Sequence, residues 1–139
     1  MPERVVLVLV RMGGRPCAIP AQAIVEVVPR VLLEQVPDAP AEVLGVMNLR
    51  GRVVTVMDVR TRVSESAAPP GPYQHLVIVD RGKQLVGLAV DDVLDVLTVA
   101  ADAVVHPGEL AGVEAPGVVR IEDDLVVVLH PRDVVHGRA

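Results

Sequence analysis

The chain has 139 residues, enough for one domain with a proper core and too few for two that would each be stable. It is 51% hydrophobic but contains no Phe and no Trp, so the core must be built from Val, Leu, Ile, Ala and Met. A net charge of -5 and a single aromatic, Tyr73, argue against a nucleic-acid partner, which needs a basic footprint and stacking platforms.

The first apolar run, 5–10, lies between Arg4 and Arg11 and is too short to span a bilayer. No signal peptide precedes it, and the lone Cys17 fits a reducing compartment, so the reading is a cytoplasmic protein without direct membrane insertion. Further short runs follow at 43–49, 53–59, 75–80, 85–90, 117–122 and 125–129, each bounded by Gly, Pro, Asp or Arg, which predicts strands. Gly13-Gly14, Gly51, Gly82 and Glu122-Asp123-Asp124 mark hairpin turns between them. Residues 20–28 predict a helical turn running into a strand. The stretch 90–99 suits helix or strand equally. Residues 131–137 carry a Pro start and a Gly stop, the pattern of a terminal helix.

The Pro-, Ser- and Ala-rich stretch 63–73 divides the chain into nearly equal halves, each with four or five strands. No repeat between the halves stands out by residue identity. A second loop, 106–116, reads as exposed and flexible. The fold class is therefore antiparallel all-β, barrel or sandwich, with short helical segments.

Chemistry is sparse. Asp58, Asp91 and Asp92 are the carboxylates from which a metal-dependent hydrolase would be built, but they suit turn and cap positions equally. His75, His106, His130 and His136 lack zinc-site spacing, and there is no nucleophile elbow or phosphate loop. Cys17, inside an apolar stretch, reads as a small core residue. No catalytic set, metal or cofactor is predicted. What remains is surface: Glu26, Arg30, Arg50, Arg52, Arg60 and Arg62 are read as charges around the valine-rich strands, suited to a partner.

The segment 37–63 contains Gly45-Val46, then Asn48-Leu49-Arg50-Gly51, an apolar strand, and Asp58-Val59-Arg60. It resembles the signature of the CheW-like domain family, found in chemotaxis coupling proteins and in the regulatory domain of the histidine kinase CheA. Residues 18–28, 85–99 and 117–135 resemble further blocks of the family in the same order, and His130-Pro131 departs from its usual Leu-Asp. The resemblance implies one domain over 1–139, made of two small five-stranded SH3-like barrels on a shared core, at roughly 13–66 and 74–130. It implies a non-catalytic adaptor that joins the CheA regulatory domain to the cytoplasmic tip of methyl-accepting chemoreceptors, in arrays at the inner face of the membrane. A scaffold of a non-motility chemosensory pathway is the alternative. Carried over by position, Glu26, Val27, Gly45, Asn48 and Arg50 belong to the partner-binding region, with Arg50 also a candidate brace of its turn through backbone carbonyls. Ile24 and Leu88 are assigned to a receptor groove, Gly51 to turn geometry, and Gly87 to a bulge or close packing.

Overall fold

The computed structural model describes residues 3–64, 71–112 and 116–130. The expected helix at 131–137 lies outside the described residues, as does the middle of the 63–73 stretch. Ten strands run in chain order: β1 (Arg4–Met12), β2 (Arg15–Pro20), β3 (Ile24–Pro29), β4 (Val43–Leu49), β5 (Arg52–Met57), β6 (His75–Arg81), β7 (Gln84–Val90), β8 (Asp92–Ala100), β9 (Gly117–Ile121) and β10 (Asp124–Val128). Two short helices, α1 (Arg60–Ser64) and α2 (Pro107–Ala111), and two 3-10 turns, Ala21–Ala23 and Ala101–Ala103, complete the described elements. The turn before β3 is the one expected at 20–28. The ambiguous 90–99 stretch is strand β8, because pairing along β1 satisfies its backbone over its whole length. The loop expected at 106–116 contains α2, started by Pro107 and ended at Gly112 in the left-handed conformation.

The strands form two five-stranded sheets, ordered β8-β1-β2-β10-β9 and β3-β6-β7-β5-β4. This corrects the expected division at 13–66 and 74–130. The first sheet takes β1 and β2 from the first half of the chain and β8, β9 and β10 from the second. The second sheet takes the reverse.

The exchange exposes a repeat of about 70 residues that identity alone conceals. Strands β1–β5 match β6–β10 in order, partner and register. Met12↔Arg15 closes the first hairpin and Arg81↔Gln84 its counterpart. The register shift beside Ile24 and Glu26 recurs beside Val93 and Asp95. Both sheets have one parallel seam, Thr55↔Val86 in one and Val127↔Cys17 in the other. Each sheet also curls toward closure. The chain leaving β3 reaches the opposite edge through the bridge Glu34↔Val46, and the chain leaving β8 does so through Val105↔Val118. Gly45 and Gly117 sit at those bridges. A Cβ on Gly45 would lie 2.5 Å from the Glu34 carbonyl oxygen, and one on Gly117 would lie 2.9 Å from Val104.

The core has three parts. Val54, Val56, Leu76, Ile78, Leu85 and Ala89 fill the inside of the second sheet. Leu7, Ala18, Val119, Val126 and Val128 fill the inside of the first. Between the sheets lie Val8, Val10, Met12, Cys17 and Ile19 from one side and Val77, Val79, Val86, Leu88 and Val90 from the other. Strands β6 and β7 and the middle of β1 therefore bury both faces, which is why they read as unbroken apolar runs rather than alternating ones. Gly87, in the middle of β7, admits Ile78, Val56 and Val54 close to its Cα. Its pairing with β5 and β6 is regular, so it serves close packing and not a bulge.

Candidate functional site

The turn between β4 and β5 has a shape its sequence dictates. Arg50 and Gly51 both have positive φ, 50° and 88°, the geometry of a two-residue hairpin whose twist matches its strands. Gly adopts this freely; Arg does so against the steric preference of an L-residue. Asn48 supports the turn, its Oδ1 accepting the Gly51 N–H at 2.7 Å.

The conformation delivers the Arg50 guanidinium to Glu26 on β3. The two strands are opposite edges of one sheet, and the curl toward closure brings them together. Nη2 donates to Oε1 and Nη1 to Oε2, the latter at 3.4 Å. The hydrogen bond from Arg50 holds the Glu26 carboxyl below its ordinary range, and the same bond pushes the Arg50 guanidinium up. Arg50 thus braces the turn against a carboxylate, not against carbonyls, while staying 69% exposed. Val25 and Val27 on β3 and Val53 on β5 are exposed aliphatics on the same sheet.

The other assigned residues lie elsewhere. Gly45 is buried beneath residues 33–34, where its missing side chain permits the barrel-closing bridge. Leu88 is 1% exposed and half-buried Ile24 packs with it on the core between the sheets. A partner cannot touch Leu88 without parting the sheets.

Sequence reasoning missed a second cluster. Arg60, read as a surface charge, is 3% exposed. Its Nε and Nη2 donate to Asp58 at 3.0 and 2.9 Å, and its Nη1 donates to Asp91 at 2.5 Å. The second oxygen of Asp91 accepts the Gly14 N–H at 2.8 Å. Asp58 follows β5 in the second sheet, whereas Gly14 belongs to the β1–β2 hairpin of the first, so the cluster ties the two sheets together. Burial by itself would raise the Asp91 carboxyl; bonds from Arg60, Gly14 and Gly13 outweigh it and hold the carboxyl below its ordinary range. The structure does bring Asp58 and Asp91 together, but around a guanidinium. Asp92 faces His75, 3.7 Å away. Among the described residues no group of three or more His, Cys, Asp or Glu could hold a metal ion. Tyr73 lies under Arg30, 4.8 Å from the ring centre, with Arg60 on the same ring at 6.0 Å. Cys17 is buried, and that burial pushes its thiol up to about 11.

A sequence model of the CheW-like domain matches residues 6–138. The chain belongs to the CheW-like family. Among relatives, a chemotaxis protein CheW of Rhizobium meliloti (strain 1021) is 39% identical over 95 residues, covering 68% of this chain and 61% of that protein. Protein FrzA of Myxococcus xanthus is 28% identical over 113 residues, covering 79% and 71%. The CheW-like chain spans about six tenths of the length of the first two relatives it matches. In structure it is similar to the scaffolding protein TtCheW from Thermoanaerobacter tengcongensis, with a TM-score of 0.77 and 23% identity, covering 99% of this chain and 92% of that one. That likeness shows the fold: two five-stranded sheets of the CheW type. Among the described residues no helix is long and apolar enough to cross a membrane.

Proposed function

We propose that this CheW-like domain is a non-catalytic adaptor of a chemosensory array, joining the regulatory domain of a CheA-type histidine kinase to the cytoplasmic tip of a methyl-accepting receptor at the inner face of the membrane. The observation that carries the proposal is the family match over nearly the whole chain. The geometry supports it. The Glu26–Arg50 pair, with Val27 and Val53 nearby, offers a fixed charge on an apolar, exposed sheet end. For the kinase we assign this end, with Asn48 holding the turn and Gly45 acting only through the backbone.

For the receptor, Leu88 is replaced by exposed neighbours on the same sheet face as the core between the sheets. Val8 belongs to that core, and its cross-strand partner Val96 is exposed, as are Val6 and Leu94. An amphipathic receptor helix laid along this strip would bury them.

The test is co-precipitation of the protein with a CheA regulatory domain and with a receptor cytoplasmic fragment, comparing wild type with Arg50→Glu. Kinase binding that is lost in a folded variant, with receptor binding kept, is the expected result. Binding of wild type to neither partner would overturn the adaptor reading.

A further inference from the structure

His75 and Asp92 meet across the boundary between the two sheets. His75 opens β6 in the second sheet, between Pro29 of β3 and Val90 of β7. Asp92 opens β8 in the first sheet, opposite Arg11 of β1. The imidazole Nδ1 is buried and has no hydrogen-bond partner. It lies 3.7 Å from Asp92 Oδ1, too far for a hydrogen bond and near enough to become one with a small ring rotation. The ring is not sealed off: the side chain is 36% exposed, so it exchanges protons with water.

The charges around the pair are accounted for. Pro29 and Val90, the strand neighbours of His75, carry none. Arg30, which follows β3, stacks on Tyr73. Asp91 is held by Arg60 and by the Gly14 N–H. Arg11 stands opposite Asp92 in the register, yet the ion-pair contact Asp92 makes among the described residues is with His75. Asp92 Oδ1 also accepts the Val93 N–H at 2.9 Å, which fixes the carboxylate and leaves that oxygen a second lone pair.

We infer that His75 and Asp92 form a proton-operated strap between the two sheets. A neutral imidazole keeps a lone pair on one nitrogen, whereas the protonated ring is a donor at both. When the ring takes a proton from water, Nδ1–H donates to Asp92 Oδ1, the separation shortens to about 2.8 Å, and the orphaned nitrogen is satisfied. The strap stabilises the fold while the ring is charged and is lost as pH rises and the ring returns its proton to water. Imidazoles change charge between about pH 5 and 8, which keeps this response apart from the acid loss at Asp91. It needs neither kinase nor receptor.

A double-mutant cycle, followed by urea unfolding, tests it. Stability is measured for wild type, His75→Phe, Asp92→Asn and the double variant at about pH 5.5 and at about pH 8. The expected coupling is about five-fold in the folding equilibrium constant at the lower pH, the upper end for a half-exposed pair, and is absent at the higher pH. The other histidines titrate in all four proteins and cancel in the cycle. Nitrogen-15 spectra of the wild-type ring give a second reading that needs no variant to fold: at the lower pH the Nδ1 proton is present and protected from exchange with water. A coupling that is equal at both pH values, larger at the higher one, or absent at both overturns the inference. So does an Nδ1 proton that exchanges freely with water at the lower pH.

Discussion

Arg50 and Arg60 occupy one motif and have opposite situations. Arg50 is exposed and strained; Arg60 is buried and fully engaged. Replacing Arg60 with Met leaves Asp58 and Asp91 facing each other without their cation, and a broken buried ion pair costs about 3 kcal/mol. A fall in unfolding free energy of that size, measured by urea titration at neutral pH, is the expected result. The pH dependence has a definite sign. Asp91 has a lowered folded pKa, so its contribution is present above the unfolded carboxylate value of about 4 and is lost as pH falls through the folded value beneath it. Asp91→Asn should therefore be less stable at neutral pH and show a flatter acid-unfolding profile than wild type. Arg50→Gly relieves the positive φ and removes the charge, so the midpoint is kept or raised while kinase co-precipitation fails. That variant separates the surface role of Arg50 from its place in the turn.

The elements were largely legible. Runs such as 75–80 and 85–90 read as strands from their length and bounding residues, their burial on both faces came only with the structure, and the glycine-marked turns lie where they were read. Residues 90–99 were undecided because helix and strand periods both fit; the decision came from β1, which is distant in sequence. The role of Gly45 was not legible, since the segment that crosses it is set by closure of the sheet. Gly45→Ala drives a Cβ into the Glu34 carbonyl and should cost about 2 kcal/mol or more. Loss of amide protection at Glu34 and Val46, followed by hydrogen exchange, would locate the damage at the bridge. Arg60 was misread for a related reason. Its two carboxylates come from one neighbouring residue and one residue beyond the 63–73 stretch, and only the neighbour was visible.

At the scale of the molecule, the sequence marked the repeat boundary at 63–73 but not the exchange of hairpins across it. Strand alternation says which faces are buried and is silent on which half supplies the partner. The exchange makes the two sheets interdependent, because neither is complete without strands from both halves and the central core belongs to both. Leu88→Ala, in that shared core, should lower stability by about 3 kcal/mol. Far-ultraviolet circular dichroism and Tyr73 fluorescence should still report one coincident unfolding transition. Two separated transitions would show the sheets to be independent units.

The reciprocal hairpins also impose an order on synthesis. All five strands of the second sheet lie between residues 24 and 90, so it can close while the last third of the chain is still on the ribosome. The β1–β2 hairpin emerges first and finishes last: its neighbours β8 and β10 are the eighth and tenth strands to be made. Until then the Val- and Leu-rich β1 and the outer edge of β2 wait in water, inviting the wrong strand from a neighbouring nascent chain. Slowing translation should lengthen that wait and increase the share of newly made protein that requires a chaperone.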